Sequence, residues 1–197
     1  MISRWVRTWD SAALAPLLRW LIRLGVTPNA LTVASCLLVL LAAVLLARGD
    51  WVAGGVVLLA GGILDGLDGE LARALKSASP LGAFLDSITD HLGDMAVHLG
   101  LLWWYLARGA VLEPILLFVG LFASMLGSQI RSRAGMVGID TKTIGWATRF
   151  ERLAILLAGL FTGWLTLALA ALALVNTLSA AQRLQQAVRG SRERLHS

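Results

Sequence analysis

The sequence predicts an all-α integral membrane protein, with an amphipathic interfacial helix followed by six transmembrane helices. Three observations lead there. Apolar runs of span length recur through the 197 residues, only 15% of which are charged, and mean hydropathy is +0.75. A six-span layout puts all 17 Lys and Arg except Arg48 and Arg108 on one side, which the positive-inside rule makes cytoplasmic. Tryptophans fall at the ends of the runs: Trp51, Trp103, Trp104 and Trp164 on the outer side, Trp5, Trp9, Trp20 and Trp146 on the inner.

Residues 2–24 place Trp5, Val6, Trp9, Ala13, Leu17, Trp20, Leu21 and Leu24 at helical spacing. Arginines take much of the other face, and Pro16 kinks or divides the segment, so it lies in the interface rather than crossing it. Thr27-Pro28 then reads as an N-cap with proline at the first helical position. Spans are expected at 29–47, 51–75, 81–106 and 111–130, with turns at Arg48-Gly49-Asp50 and at 77–80. A polar loop is expected at 131–144. Residues 145–183 hold two further spans that turn at Thr162-Gly163-Trp164, and the chain beyond Leu184 is a polar tail. Both termini are thus expected in the cytoplasm.

The net charge of +5 and pI near 10.6 could suit nucleic acid. The basic residues cluster instead at the ends of apolar runs, so no nucleic-acid partner is expected. Arg4, Arg7, Arg19 and Arg23 leave no clean apolar core for a cleaved signal, and the first residues read as part of the mature protein. The lone Cys36 sits in an apolar run and excludes an internal disulfide.

Half of the 12 acidic residues lie between positions 65 and 94: Asp65, Asp68, Glu70, Asp86, Asp90 and Asp94. Asp65 and Asp68 fall near the cytoplasmic end of the second span, and Asp86 and Asp90 near the start of the third. Spacings of three and four put each pair on one helix face, so two antiparallel helices can aim four carboxylates into one cavity. Each acid in mid-membrane costs roughly 2.5–3.5 kcal/mol, so a cluster needs cations between its members. Oxygen-only ligands favour Mg²⁺ or Mn²⁺ over zinc, and four carboxylates suit two ions. Such a pair supports in-line displacement at phosphorus. Solvation at a helix end, or neutralisation by Arg73 and Lys76, would also account for a single acid, and a divalent-cation transporter could use the same four.

The finer pattern reads Asp65-x-x-Asp68-Gly69-x-x-Ala72-Arg73, eight residues, Gly82, three residues, Asp86, three residues, Asp90. It resembles the defining motif of the CDP-alcohol phosphatidyltransferase family at every fixed position. That resemblance implies an enzyme that moves a phosphatidyl group from CDP-diacylglycerol to an alcohol and releases CMP, working as a homodimer in a bacterial or archaeal cell membrane. By position, Asp65, Asp68, Asp86 and Asp90 would hold the metals, with Asp90 also the general base. Gly69, Arg73 and Ser79 would hold the CDP group. Gly69 permits close backbone approach, and Arg73 can fork onto phosphate oxygens. Pro28-Asn29-Ala30-Leu31-Thr32 resembles the family's other nucleotide-contacting stretch, and Pro28 serves equally as a plain helix cap. Members commonly carry arginine directly after the last motif aspartate. Here His91 replaces it, while Asp94 keeps the acid that follows.

On the acceptor side, Arg131-Ser132-Arg133-Ala134 and Arg149-Phe150-Glu151-Arg152 resemble the branch of the family that makes phosphatidylinositol phosphate. Arg131, Arg149 and Arg183 correspond to residues that hold the acceptor's phosphate there, with Glu151 a partner for Arg133 or Arg152. As plain sequence they are also ordinary positive-inside anchors. The resemblance implies residues 1–24 as an interfacial helix, 25–186 as the six-span transferase domain and 187–197 as a cytoplasmic tail. The acceptor expected is a phosphorylated polyol, inositol phosphate ahead of glycerol 3-phosphate. The divalent-cation transporter gains nothing from Gly69, Ala72 and Arg73.

Overall fold

The computed structural model describes residues 16–77, 79–139 and 148–195, with side chains described through 191. Every element among them is a helix. A short helix α1 (16–23) leads into α2 (Pro28–Arg48), α3 (Trp51–Ala74), α4 (Pro80–Leu106), α5 (Leu112–Met136), α6 (Arg149–Thr162) and α7 (Leu165–Leu195). Local chemistry sets the starts. Thr27 and Ser79 accept hydrogen bonds from the backbone N–H groups of Ala30 and Gly82, each ahead of a proline at the first turn. Thr148 and Glu151 cap α6 reciprocally. At the α2–α3 turn Gly49 takes φ 88°, and a Cβ there would lie 1.9 Å from the Trp104 ring, so position and neighbour both demand glycine.

α2 packs against α3 and α4, α7 against α5 and α6, and the halves join through α4–α5 and α3–α6. Val39, Ala42, Leu46, Leu58, Val97, Leu101, Leu117, Leu157 and Leu169 lie in the shared core. Small residues let helices close up: a Cβ on Gly100 would stand 2.3 Å from the Ala43 carbonyl oxygen. Buried hydroxyl and amide groups find partners on the neighbouring helix, Ser35 Oγ donating to the Gly61 carbonyl and Asn176 Nδ2 to that of Gly120. Leu37, Val52, Trp103, Phe118 and Leu174 face outward. So much exposed apolar surface is a liability in water and suits lipid.

α2, α3, α5 and α7 (over Leu165–Ser191) are long and apolar enough to cross a membrane. α4 matches them in length but carries Asp86, Asp90 and Asp94, and α6 has 14 described residues. One expected boundary needs correction. The helix of the fourth expected span, α5, continues through Arg131 and Arg133 to Met136, where a loop from 131 was expected. The polar stretch beyond Leu184 continues α7 as far as Leu195. Hydropathy marks where a helix leaves lipid, but hydrogen bonds within the helix carry it beyond that point.

Of the amphipathic segment at 2–24, residues 1–15 lie outside the described residues, as does Trp146 of the inner belt. In α1, Trp20 is exposed, and Leu21 is buried with Leu31, Leu67 and Leu71. α1 thus packs over the start of α2 and the end of α3.

Candidate active site

The α3–α4 hairpin brings the two aspartate pairs together. Asp65, Asp68 and Asp86 each offer a carboxylate oxygen, all within 4.8 Å of one another. Asp68 is buried, and Thr32 Oγ1 donates to its Oδ2 at 2.5 Å. Asp90 Oδ1 is buried and accepts no aligned hydrogen bond. Its close neighbour is Arg149 Nη1 at 2.6 Å, and the same nitrogen pairs with Asp65 Oδ2.

Why Arg149 arrives there follows from α3. Gly55, Gly62 and Gly66 share one side of that helix, where α6 lies close. A Cβ would stand 2.8 Å from the Phe161 ring at Gly55, 2.6 Å from Leu153 at Gly62 and 3.6 Å from Phe150 at Gly66. With α6 so near, its first residue reaches Asp65 and Asp90. The glycine spacing was visible in the sequence and is the signal that could have found this contact.

The carboxylates fit a hard divalent ion. Oxygen donors converge from two helices with no His or Cys among them. Arg149 compensates only part of the negative charge.

The expected nucleotide-contacting residues collect beside this set, at the ends of α2, α3 and α4. Asn29 Oδ1 and Ser79 Oγ flank Gly82, where a Cβ would lie 3.8 and 3.2 Å from them. The Arg73 guanidinium lies over Gly69 and pairs with Glu70. Three members also have packing roles: Pro28 opens α2, the Ala30 N–H donates to Thr27, and the Leu31 side chain joins the Leu21 cluster. Ser79 is the N-cap of α4.

The expected acceptor arginines do not all meet. Arg131 on α5 and Arg183 on α7 act electrostatically on each other and on Arg152, a residue the sequence reading used only as a partner for Glu151. Arg152 Nη1 donates to Ser124 Oγ at 2.8 Å, and Arg152 and Arg183 line a cleft with Ser124, Gly127, Asn176 and Ser179. Arg149 stands toward the carboxylates instead, one turn along α6. Glu151 accepts from the Thr148 N–H at 2.6 Å and makes the capping box, not the arginine pair expected of it. His91 and His98 each turn a ring nitrogen to the carbonyl four residues back, of Ser87 and Asp94.

The family model for CDP-alcohol phosphatidyltransferases matches residues 25–181, which contain all of these groups except Arg183. The chain belongs to that family. It is an integral membrane transferase of phospholipid synthesis, and the cation-transporter reading falls away. Archaetidylinositol phosphate synthase of Pyrococcus horikoshii is 39% identical over 139 residues, covering 70% of this chain and 71% of that protein. The crystal structure of Mycobacterium tuberculosis phosphatidylinositol phosphate synthase with CDP-diacylglycerol bound aligns with TM-score 0.79 at 30% identity, over 87% of this chain and 92% of that one. The same enzyme with manganese and citrate aligns at TM-score 0.78 and 30% identity, over 87% of each chain.

Thr32 has a role that sequence reading missed. Its hydroxyl fixes the orientation of a buried carboxylate that the motif assigns to metal. Groups that orient a metal ligand typically carry about 10–100-fold in metal affinity. Thr32→Val should therefore weaken manganese binding by roughly that factor, and Thr32→Ser should restore it. Calorimetric titration of the purified protein with Mn²⁺ checks both.

Proposed function

We propose that this transferase moves the phosphatidyl group of CDP-diacylglycerol, or its archaeal ether counterpart, to a hydroxyl of inositol phosphate. CMP leaves. The observation that carries the reading is the adjacency of four aspartates on α3 and α4 to a cationic cleft between α5, α6 and α7. A neutral polyol gives three mutually repelling arginines nothing to bind. A phosphomonoester brings nearly two negative charges and several acceptor oxygens. The similarity to inositol phosphate-type synthases points the same way.

In this reading Asp65, Asp68, Asp86 and Asp90 hold two divalent ions, Mg²⁺ or Mn²⁺. When bound, such ions lower the cost of the charge that develops on the attacking and departing oxygens. Thr32 keeps Asp68 in position. Asn29, Gly69, Arg73 and Ser79 seat the CDP group, Arg73 exchanging its Glu70 partner for phosphate oxygens. Pro28, Ala30 and Leu31 shape the entry to that seat. Arg131, Arg152 and Arg183 hold the acceptor's phosphate, and Arg149 lies between the two halves. Asp90 takes the proton from the acceptor hydroxyl, whose oxygen forms a bond to the phosphorus bearing diacylglycerol. The bond from that phosphorus to the CMP oxygen breaks, and CMP carries the electron pair away.

The same proposal includes the finer architecture: six spans comprising α2 to α7, an interfacial helix at 1–24, a domain over 25–186, and a tail at 187–197. The active site and both termini face the cytoplasm, because the basic residues gather at that end. A second copy completes a homodimer.

The direct test is CMP release from CDP-diacylglycerol by the purified protein. Release should need Mg²⁺ or Mn²⁺, stop on chelation, and rise when inositol phosphate is added. Equal release with and without the ester would remove the acceptor assignment.

A further inference from the structure

One nitrogen, Arg149 Nη1, contacts both Asp65 and Asp90, 25 residues apart on different helices. Asp65 also belongs to the set whose oxygens converge within 4.8 Å. A guanidinium and a divalent ion drawing on the same carboxylates compete twice, for their lone pairs and through like-charge repulsion.

We propose that Arg149 competes with a divalent ion for Asp65 and Asp90, so that an acceptor phosphate drawing the guanidinium away strengthens ion binding. The second half of this proposal rests on the phosphorylated-acceptor reading above. The geometry supplies each part. Phe150 and Leu153 hold α6 against the glycines of α3, so the arginine can turn without its helix moving. Its side chain is 39% exposed and open to a soluble anion. One turn further along, Arg152 lines the cationic cleft and feels the charge of Arg149. A phosphate entering there attracts Arg149 away from the aspartates, and the carboxylates it leaves attract the ion. Linkage makes the effect reciprocal: the ion must raise affinity for the ester by the same factor. An empty acceptor site would thus disfavour a fully loaded metal centre, limiting hydrolysis of the lipid donor by water.

The test is Mn²⁺ titration of the full-length detergent-solubilised protein, with free ion read by electron paramagnetic resonance. Arg149→Gln should tighten the more weakly held ion by about tenfold or more, the scale of a lost charge-assisted contact. Arg149→Lys keeps the charge without the planar fork and should shift it less. In wild type, inositol phosphate should tighten Mn²⁺ binding after correction for ion held by the free ester, and Arg149→Gln should lose that response. Unchanged or weaker Mn²⁺ binding in a folded Arg149→Gln protein overturns the competition. Should that variant unfold, an unshifted Arg149→Lys overturns it equally. Inositol phosphate that drives CMP release yet leaves Mn²⁺ affinity alone overturns the coupling while the acceptor reading stands. If CMP release ignores the ester, the acceptor reading falls, and the Arg149→Gln titration alone decides the competition.

Discussion

Asp90→Asn should lower turnover by about 10²–10⁴-fold, the contribution of a positioned general base, while the protein still inserts and folds. The amide keeps the size of the side chain and loses both the charge and the basicity. Its neighbourhood can absorb the change, because Arg149 loses its ion pair with Asp90 but keeps its partner in Asp65. Single-turnover CMP release at saturating Mn²⁺ separates the chemical step from ion binding. Asp86→Asn should differ in kind: its loss should be recovered in part by raising Mn²⁺, since Asp86 sits in the converging carboxylate set and has no assigned proton to move. Near-normal turnover in Asp90→Asn would remove the base assignment.

The second large effect belongs to the cleft. Arg183→Ala should raise the KM for inositol phosphate by about 10–100-fold, the value of one or more charge-assisted bonds to phosphate, and leave the donor KM within about twofold. Arg183 is packed over Gly127, where a Cβ would stand a tight 3.2 Å from its Nη1. Arg152→Lys should move the same parameter less, because charge persists while the bond to Ser124 is lost. Steady-state kinetics with each substrate varied in turn check both. An equal rise in donor KM would place the cleft on the wrong side of the reaction.

The aspartate hairpin was legible in the sequence because three- and four-residue spacings, a short turn and the cost of charge in lipid all point to one shared cavity. The same holds for the cap at Thr27, where a hydroxyl precedes proline, and for the turns at Gly49 and Gly163. What escaped was set by helix–helix approach. Nothing in Arg149-Phe150-Glu151-Arg152 tells which arginine turns to the aspartates and which to the cleft. That depends on α6 settling onto the glycines of α3, a long-range contact. Glu151 was misread because a capping-box glutamate and an ion-pair glutamate look alike until the helix start is fixed at Thr148. The bond from Thr32 to Asp68, 36 residues away, likewise depends on how α2 meets α3. Polar composition also misplaced the end of α5, since Arg131 and Arg133 leave lipid without leaving the helix.

The measurement that tests the account most directly is a competition for one donor. The purified protein receives CDP-diacylglycerol, Mn²⁺ and equal amounts of inositol phosphate, glycerol 3-phosphate and free inositol, and the lipid products are identified by mass. Phosphatidylinositol phosphate is expected in excess, phosphatidylglycerophosphate second and phosphatidylinositol scarcely formed, with CMP equal to total lipid product. Phosphatidylinositol formed as readily as its phosphate would contradict it, and would reduce Arg131, Arg152 and Arg183 to anchors at the membrane surface.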